Sequence, residues 1–361
     1  MSAMLEAEHL YKVFGRRPDE AVDRLRQGAG REELRADGAT AAVIDACLTV
    51  ERGRIFVVMG LSGSGKSTLL RMLNGLLEPT AGRVRFDGQD LTALTGRELR
   101  EVRARRISMV FQHFALFPHR SVRENAAYGL EVQGVPRAER ERRADEALAL
   151  CGLAGWEKSW PDELSGGMQQ RVGLARALAT DADLLLMDES FSALDPLIRR
   201  DMQDQLLQLQ QTLRKTIVFI THDLNEAMRL GDRIAVMRDG RIVQTGTAED
   251  ILLRPADDYV ASFIQDVDRS RVLTAGAVMD TSVTGDGPGC GCETARPETP
   301  FAELCAISAR LSHPVAVVGD GDRLLGVVPR QRLVGFLGDE TGGPRPCDRP
   351  GDAAKEVSAR A

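Results

Sequence analysis

Along the first 265 residues, short apolar runs alternate with longer stretches in which apolar residues return every three or four positions. The runs Leu5–Phe14, Ala42–Val50, Ile55–Met59, Arg83–Phe86, Ile107–Gln112, Leu184–Met187 and Thr216–Ile220 have the length and bounding turns of strands. Helical spacing marks 97–106, about 122–160, 164–179 and 197–213. It also marks 17–37 through Ala21, Leu25 and Leu34, so one or two amphipathic helices are expected between the first two strands. Strands alternating with helices predict an α/β domain. Within 122–160, Leu148, Leu150 and Leu153 are expected to face inward and Trp156 and Trp160 to lie in the core.

After residue 265 the pattern changes. Residues 266–299 are rich in Gly, Pro, Thr and Asp and read as a linker. Pro300–Leu311 then reads as a helix, Pro314–Val318 as a strand, Asp320-Gly321-Asp322 as a turn, Leu324–Val328 as a strand and Gln331–Leu337 as a helix. The last stretch, 339–361, mixes both charges with Gly and Pro and is expected to be disordered.

Length and composition set outer bounds. A chain of 361 residues with 43% hydrophobic side chains has room for one large domain and a small one. A net charge of −6 argues against a nucleic-acid footprint spread over the surface. There is no apolar run of transmembrane length, and the acidic start Met1–Glu8 does not read as a signal peptide; a cytosolic protein, free or peripheral on a membrane, is expected. The six cysteines lie scattered, which suits a reducing compartment. Cys290-Gly291-Cys292 has no third ligand nearby in sequence and reads as linker.

The chemistry begins at Gly60-Leu61-Ser62-Gly63-Ser64-Gly65-Lys66-Ser67-Thr68, between the strand Ile55–Met59 and a helix-like Leu69–Leu73. This is a phosphate-cradling loop: glycines turn backbone N–H groups inward, Lys66 supplies a positive charge and Ser67 a hydroxyl for Mg²⁺. Leu164-Ser165-Gly166-Gly167-Met168-Gln169-Gln170-Arg171 opens a helix with a Ser cap and two glycines, a second anion site. Leu184–Met187 runs into Asp188-Glu189; the first carboxylate can hold Mg²⁺ beside Ser67 and the second can deprotonate an attacking water. His222 ends another strand, where open α/β sheets bind ligands. Phe14 either stacks on a base or fills a strand-end core position. The apolar loop His113–His119 is either a docking surface or subdomain packing.

In order and spacing, Gly60–Thr68, Gln112, Leu164–Arg171, Asp188-Glu189, Ser192–Asp195 and His222 resemble the Walker A, Q-loop, signature, Walker B, D-loop and H-switch of ABC-transporter ATPases over roughly 5–265. The resemblance implies a RecA-like core with a helical subdomain at about 97–180, and ATP and Mg²⁺ as cofactors. It implies a homodimer in which the signature of one chain covers the nucleotide on the other's P-loop. It implies catalytic roles for Glu189, His222 and Lys66, and nucleotide contacts from Phe14, Gly60–Thr68, Ser165, Gly166, Gly167, Gln169 and Asp195. Ser67, Gln112 and Asp188 become the Mg²⁺ residues, and Phe114–Val122 the seat of a permease helix. The insert at 15–41, with Pro161–Leu164 and Phe191–Ile198, resembles the ATP-binding subunit of glycine betaine/proline-type importers. That implies permease and substrate-binding-protein partners, no nucleic acid, and a place on the cytoplasmic face of the membrane; an amino-acid importer is the alternative. Residues 300–338 resemble a single CBS motif, in which Pro329 and Arg332 replace the hydroxyl and carboxylate of nucleotide-binding copies. This favours a dimerising or ionic-strength-sensing module. A soluble DNA- or ribosome-directed ABC ATPase lacks its expected coiled coils or paired cassettes here, and a purely regulatory ligand-binding protein is at odds with the intact Glu189 and His222.

Overall fold

The computed structural model describes residues 2–112, 114–265, 267–283 and 293–337. His113, Cys290, Cys292, Cys347 and the 339–361 tail lie outside them. The chain divides into two compact units, the first ending at Val267 and the second starting at Asp268.

The first unit is built on two sheets. An antiparallel sheet contains β1 (Ala3–Gly15), β2 (Ala39–Glu51), β4 (Ala81–Phe86) and β5 (Gln89–Asp90), in the order β2-β1-β4-β5. The larger sheet contains β3 (Ile55–Met59), β6 (Ile107–Val110), β7 (Leu184–Asp188), β8 (Thr216–Thr221), β9 (Arg233–Arg238) and β10 (Arg241–Gly246), in the order β10-β9-β3-β8-β7-β6. Its pairings are parallel except for the β9–β10 hairpin. Every residue of β3 and β8 is buried, which is why Ile55–Met59 and Ile217–Ile220 are continuously apolar in sequence.

The helix Lys66–Leu73 belongs to the core shared by the two sheets. Its Leu69, Leu70, Met72 and Leu73 join Leu5, Val84 and Phe86 of the antiparallel sheet and Phe56, Val58, Leu186 and Val218 of the parallel one in a single cluster. Each such side chain contributes about 1.5–3 kcal/mol by leaving water. The insert forms the two expected helices, Pro18–Arg26 and Arg31–Ala36, and buries Ala21, Leu25 and Leu34 against Tyr11, Val13 and Ala41. Helices at Gly96–Arg106, Val122–Val132, Arg137–Leu150 and Gly166–Ala179 follow the expected helical region.

Three expectations fail in the first unit. Leu150 is 49% exposed, because the buried face of its helix runs through Ala144, Ala147, Leu148 and the cap residue Cys151, and position 150 points away. Trp156 and Trp160 are 40% and 45% exposed. They lie in turns after the helix has ended, with Gly152 and Gly155 at positive φ, where helical spacing no longer dictates direction. The strand expected to reach Gln112 stops at Val110.

In the second unit, the helix Phe301–Arg310, β11 (Val315–Val318), β12 (Leu324–Val328) and the helix Arg330–Leu337 match the expected elements, with β11 and β12 antiparallel. The stretch expected as a linker contributes structure here. Its Thr274, Asp280 and Ala295 bridge to Pro300, Val327 and Val317, and Leu273, Ala275 and Val278 are buried.

At one point in the antiparallel sheet, β4 leaves no room for a side chain against β1. Gly82 of β4 has φ 95°, and a Cβ there would sit 2.3 Å from the His9 carbonyl oxygen and 2.6 Å from that of Glu8. Gly88 has φ 79° with nothing within 4 Å. Gly88→Ala should therefore cost only the left-handed conformation, about 1–2 kcal/mol, and Gly82→Ala distinctly more. Urea unfolding of the two variants measures this, and equal losses would show that the β1–β4 contact yields without strain.

Candidate functional site

At the carboxyl end of β3 the chain enters Gly60–Gly65 and then the helix Lys66–Leu73. A Cβ on Gly60, at φ 153°, would lie 2.2 Å from the Met237 carbonyl oxygen, and one on Gly65, at φ 103°, 2.2 Å from that of Ala42. Only glycine lets the loop pass between β2 and β9 at this distance. The helix has no side-chain cap, so its first N–H groups are open to a ligand. Gly63 has nothing within 4 Å of a Cβ position, and Ser64 Oγ is buried without a partner. An anionic oxygen-rich group fits this cradle, which combines bare donors with a positive helix end.

Lys66 is only 4% exposed. Its Nζ donates to the carbonyls of Gly60 at 2.9 Å and Leu61 at 3.0 Å and lies 3.7 Å from Glu189 Oε1. Burial pulls the ammonium below the usual lysine range, and the charges of Glu189 and Asp188 pull it back. Asp188, at the end of β7, accepts from Ser67 Oγ at 3.0 Å. Burial raises its carboxyl, the Ser67 hydrogen bond lowers it and the Glu189 charge raises it again. A hydroxyl and a partly buried carboxylate facing one another form an oxygen donor set suited to a hard cation.

Glu189 takes φ 43°, a left-handed conformation that costs a non-glycine residue about 1–2 kcal/mol. Its N–H donates to the Ile220 carbonyl at 3.0 Å, and its Oε2 lies 3.0 Å from His222 Nδ1. The strain aims the carboxylate between Lys66 and His222. Behind them lies a brace that sequence reading missed. Thr221 donates to Glu226 Oε2 at 2.6 Å, Gln203 to Oε1 at 3.1 Å, and Asp223 caps the next helix through the N–H groups of Asn225 and Glu226. No spacing marks Glu226 beforehand.

Other expected residues are placed as follows. Gln112 Nε2 donates to Ser192 Oγ at 3.2 Å, and that hydroxyl donates to the Glu189 carbonyl at 2.8 Å. Ser67 and Asp188 thus meet each other, whereas Gln112 meets the turn after Glu189. Phe14 is 44% exposed at the end of β1, with Lys12 Nζ 5.4 Å from its ring centroid, which rules out the core alternative. Ser165 caps the helix Gly166–Ala179 through the Met168 N–H, Gln169 binds the Pro161 carbonyl, and Asp195 caps Pro196–Leu213. Among the described residues no hydrogen bond joins Ser165–Gln169 to Gly60–Thr68. The loop after Gln112 is firmly held. Buried Asn125 donates to the Phe117, Arg120 and Ser121 carbonyls and accepts from the Phe117 N–H, while Arg176 donates to the Phe114 and Ala115 carbonyls. Phe114, Leu116 and Phe117 remain half-buried.

A family profile described as ABC transporter matches residues 44–192. The glycine betaine transport ATP-binding protein OpuAA of Bacillus subtilis is 58% identical over 281 residues, 78% of this chain and 67% of that protein. The glycine betaine/proline betaine transport system ATP-binding protein ProV of Salmonella typhimurium is 52% identical over 346 residues, 95% of this chain and 84% of that protein. Among solved structures, the dimeric post-hydrolysis state of the ATP-binding cassette MJ0796 bound to ADP and Pi is similar with a TM-score of 0.57 and 31% identity, covering 68% of this chain and 99% of that one.

Burial raises the Glu226 carboxyl above the ordinary glutamate value. The folded chain then holds this proton more tightly than the unfolded one, so the group's stabilising contribution is complete below the unfolded pKa and is lost as pH rises through the folded one. Glu226→Gln, which keeps an acceptor for Thr221, should therefore gain stability relative to the parent as pH rises across that window. Unfolding curves at a series of pH values test this, and a difference independent of pH would assign Glu226 a permanently ionised state.

Proposed function

The chain belongs to the ATP-binding subunits of ABC transporters, in the group of the glycine betaine proteins, and from that membership we propose how it hydrolyses ATP to drive import of an osmoprotectant quaternary amine. The observation that carries the reading is Glu189, held by backbone strain between Lys66 and His222 beside the Ser67–Asp188 pair. The triphosphate lies in the Gly60–Thr68 loop against the open helix end, with its adenine on exposed Phe14. Lys66 exchanges its two loop carbonyls for phosphate oxygens. A magnesium ion accompanying the nucleotide would be held by Ser67 and Asp188, with Gln112 at its edge, and would neutralise phosphate charge. Glu189 orients a water and takes its proton at a carboxylate oxygen, and His222 fixes that carboxylate through Nδ1.

Ser165, Gly166, Gly167 and Gln169, with Asp195, act on the nucleotide of a second copy of this chain. Two observations support that assignment: the exposed Ser165–Gly166 cap, and the lack of any hydrogen bond among the described residues from it to the P-loop of its own chain. The stretch Phe114–Val122, in which Phe114, Leu116 and Phe117 are half-buried, is the seat of a membrane permease, which holds the chain on the cytoplasmic face. No helix among the described residues is long and apolar enough to cross a membrane. An extracytoplasmic binding protein and the permease choose the substrate. The second unit, with its CBS-like strand pair, acts as a dimerising or ionic-strength-sensing module.

Glu189→Gln should lower ATP turnover about 10²–10⁴-fold, or about 3–5 kcal/mol of barrier, and leave nucleotide binding intact. Unchanged turnover would remove Glu189 as the base. For the substrate, uptake of labelled glycine betaine and choline, in competition with proline, is measured in cells lacking the gene and complemented with the intact or Lys66→Ala form. Betaine or choline uptake restored only by the intact gene is the expected result. Restoration of proline uptake alone would favour the amino-acid alternative.

A further inference from the structure

Away from the nucleotide site, three side chains of different chemistry converge on one point of the antiparallel sheet: His9 of β1 and Asp45 and Cys47 of β2. Their ligating atoms all lie within 4.8 Å of one another. His9 Nδ1 is 2.8 Å from Asp45 Oδ1 and 3.7 Å from Cys47 Sγ, and the His9 N–H donates to the same sulfur at 3.2 Å.

The ladder produces this convergence by two opposed irregularities. Between the pairs Ala7–Leu48 and Leu10–Ala46, Glu8 and His9 stand opposite Cys47 alone; between Leu10–Ala46 and Lys12–Val43, Ile44 and Asp45 stand opposite Tyr11 alone. Each strand therefore carries one extra residue, a bulge, and each bulge re-aims a side chain. His9 at φ 49° and Asp45 at φ 51° both occupy the left-handed region. The β1 bulge also appears in the ladder to β4, where Gly82 presses on the His9 carbonyl, so the backbone beneath His9 is fixed from both sides. Two non-glycine residues in a costly conformation, with their side chains meeting, have the form of a built site rather than an accident of a strand face.

The bonding pattern selects among the chemistries open to Cys, His and Asp. A nucleophile relay places the thiol and the carboxylate on opposite nitrogens of the imidazole. Here both approach Nδ1, as ligands around one ion do. With zinc–ligand distances of about 2.0–2.3 Å, tetrahedral geometry separates neighbouring donor atoms by about 3.3–3.6 Å. The sulfur–nitrogen distance of 3.7 Å lies just above this range, and the nitrogen–oxygen pair opens once an ion replaces the proton it shares. His9 and Asp45 side chains are 74% and 41% exposed, so an ion arrives directly from solvent and a fourth position stays open.

We propose that His9, Asp45 and Cys47 form a three-ligand site for a borderline divalent transition ion, zinc foremost, clamping β1 to β2. On binding, the Cys47 S–H proton leaves to solvent as the metal–sulfur bond forms, and the neutral His9 ring changes tautomer through solvent, its proton passing from Nδ1 to Nε2, so that Nδ1 and the Asp45 carboxylate each offer a lone pair. Sulfur and nitrogen ligands exclude Mg²⁺ and Ca²⁺ from the same place.

The test titrates Co²⁺ into the full chain carrying Cys290→Ser, Cys292→Ser, Cys305→Ser and Cys347→Ser, which leaves Cys47 as the accessible thiol, since Cys151 is buried. A thiolate-to-cobalt charge-transfer band at one ion per chain, displaced by Zn²⁺, is expected. Further replacement by Cys47→Ser should abolish it, and His9→Asn or Asp45→Asn, which tolerate the left-handed backbone, should each weaken binding at least about 10-fold. ATP turnover serves as the folding control for the series. A chain that turns over ATP normally but gives no band, or a band with unchanged affinity in His9→Asn, overturns the site.

Discussion

The nucleotide loop has room for nothing larger than glycine at two points, and most of the first unit follows from that restriction. Gly60 runs against the Met237 carbonyl of β9 and Gly65 against the Ala42 carbonyl of β2, one from each sheet. The loop is therefore where the two sheets are tied together, and the helix behind it supplies four buried side chains, Leu69, Leu70, Met72 and Leu73, to their common core. Because the loop is squeezed, the Lys66 amine is drawn into the interior, where its ordinary charge is disfavoured and the loop's own carbonyls are its nearest acceptors. A polyphosphate relieves this situation by providing anionic oxygens where the protein provides only dipoles.

The carboxylate side of the site is organised differently. Here the backbone itself is bent out of its comfortable range at Glu189, and hydrogen bonds on both flanks keep it there: Ile220 through the main chain and Ser192 through its hydroxyl. The His222 turn is held by Thr221, Asp223 and the buried Glu226. A strained residue needs such a surround to persist, and the surround accounts for the concentration of polar contacts at the ends of β7 and β8.

What could be read from sequence divides along physical lines. Strands buried on both faces, such as β3 and β8, announce themselves as apolar runs, and the phosphate loop announces itself because its geometry admits so few residues. In the hairpin β9–β10, β9 confines its buried apolar run to Ile234–Met237 between two arginines, and β10 is mostly half-buried and carries Gln244 and Thr245. Leu150 is helical but lies off the buried face marked by Ala144, Ala147 and Leu148, and Trp156 and Trp160 fall beyond the helix end, where its spacing no longer applies. The 266–299 stretch has linker composition, yet Leu273, Ala275 and Val278 find buried places in it, because a few apolar residues suffice when neighbouring strands offer bridging partners. Glu226 acts through hydrogen bonds from Gln203 and Thr221 that no spacing marks, and Gln112 reaches Ser192 from a distant part of the chain. The left-handed turns of His9 and Asp45 are similarly hidden, since neither residue is a glycine.

Those last two residues have a topological meaning besides their chemistry. In a pleated ladder, one inserted residue is a dislocation: beyond it, every side chain of that strand changes face relative to its partner. The insertion at His9 is cancelled two positions later by the one opposite Tyr11, so the pairing offset present at Ala7–Leu48 returns at Lys12–Val43. The ladder shifts again just beyond, between Lys12–Val43 and Val13–Ala41, where Ala42 is the extra residue of β2, and the strand ends with Val13 in the core and Phe14 in solvent. Such paired defects annihilate only together. Losing either extra residue alone would invert the far end of β1, whereas losing both would leave its two faces as they are.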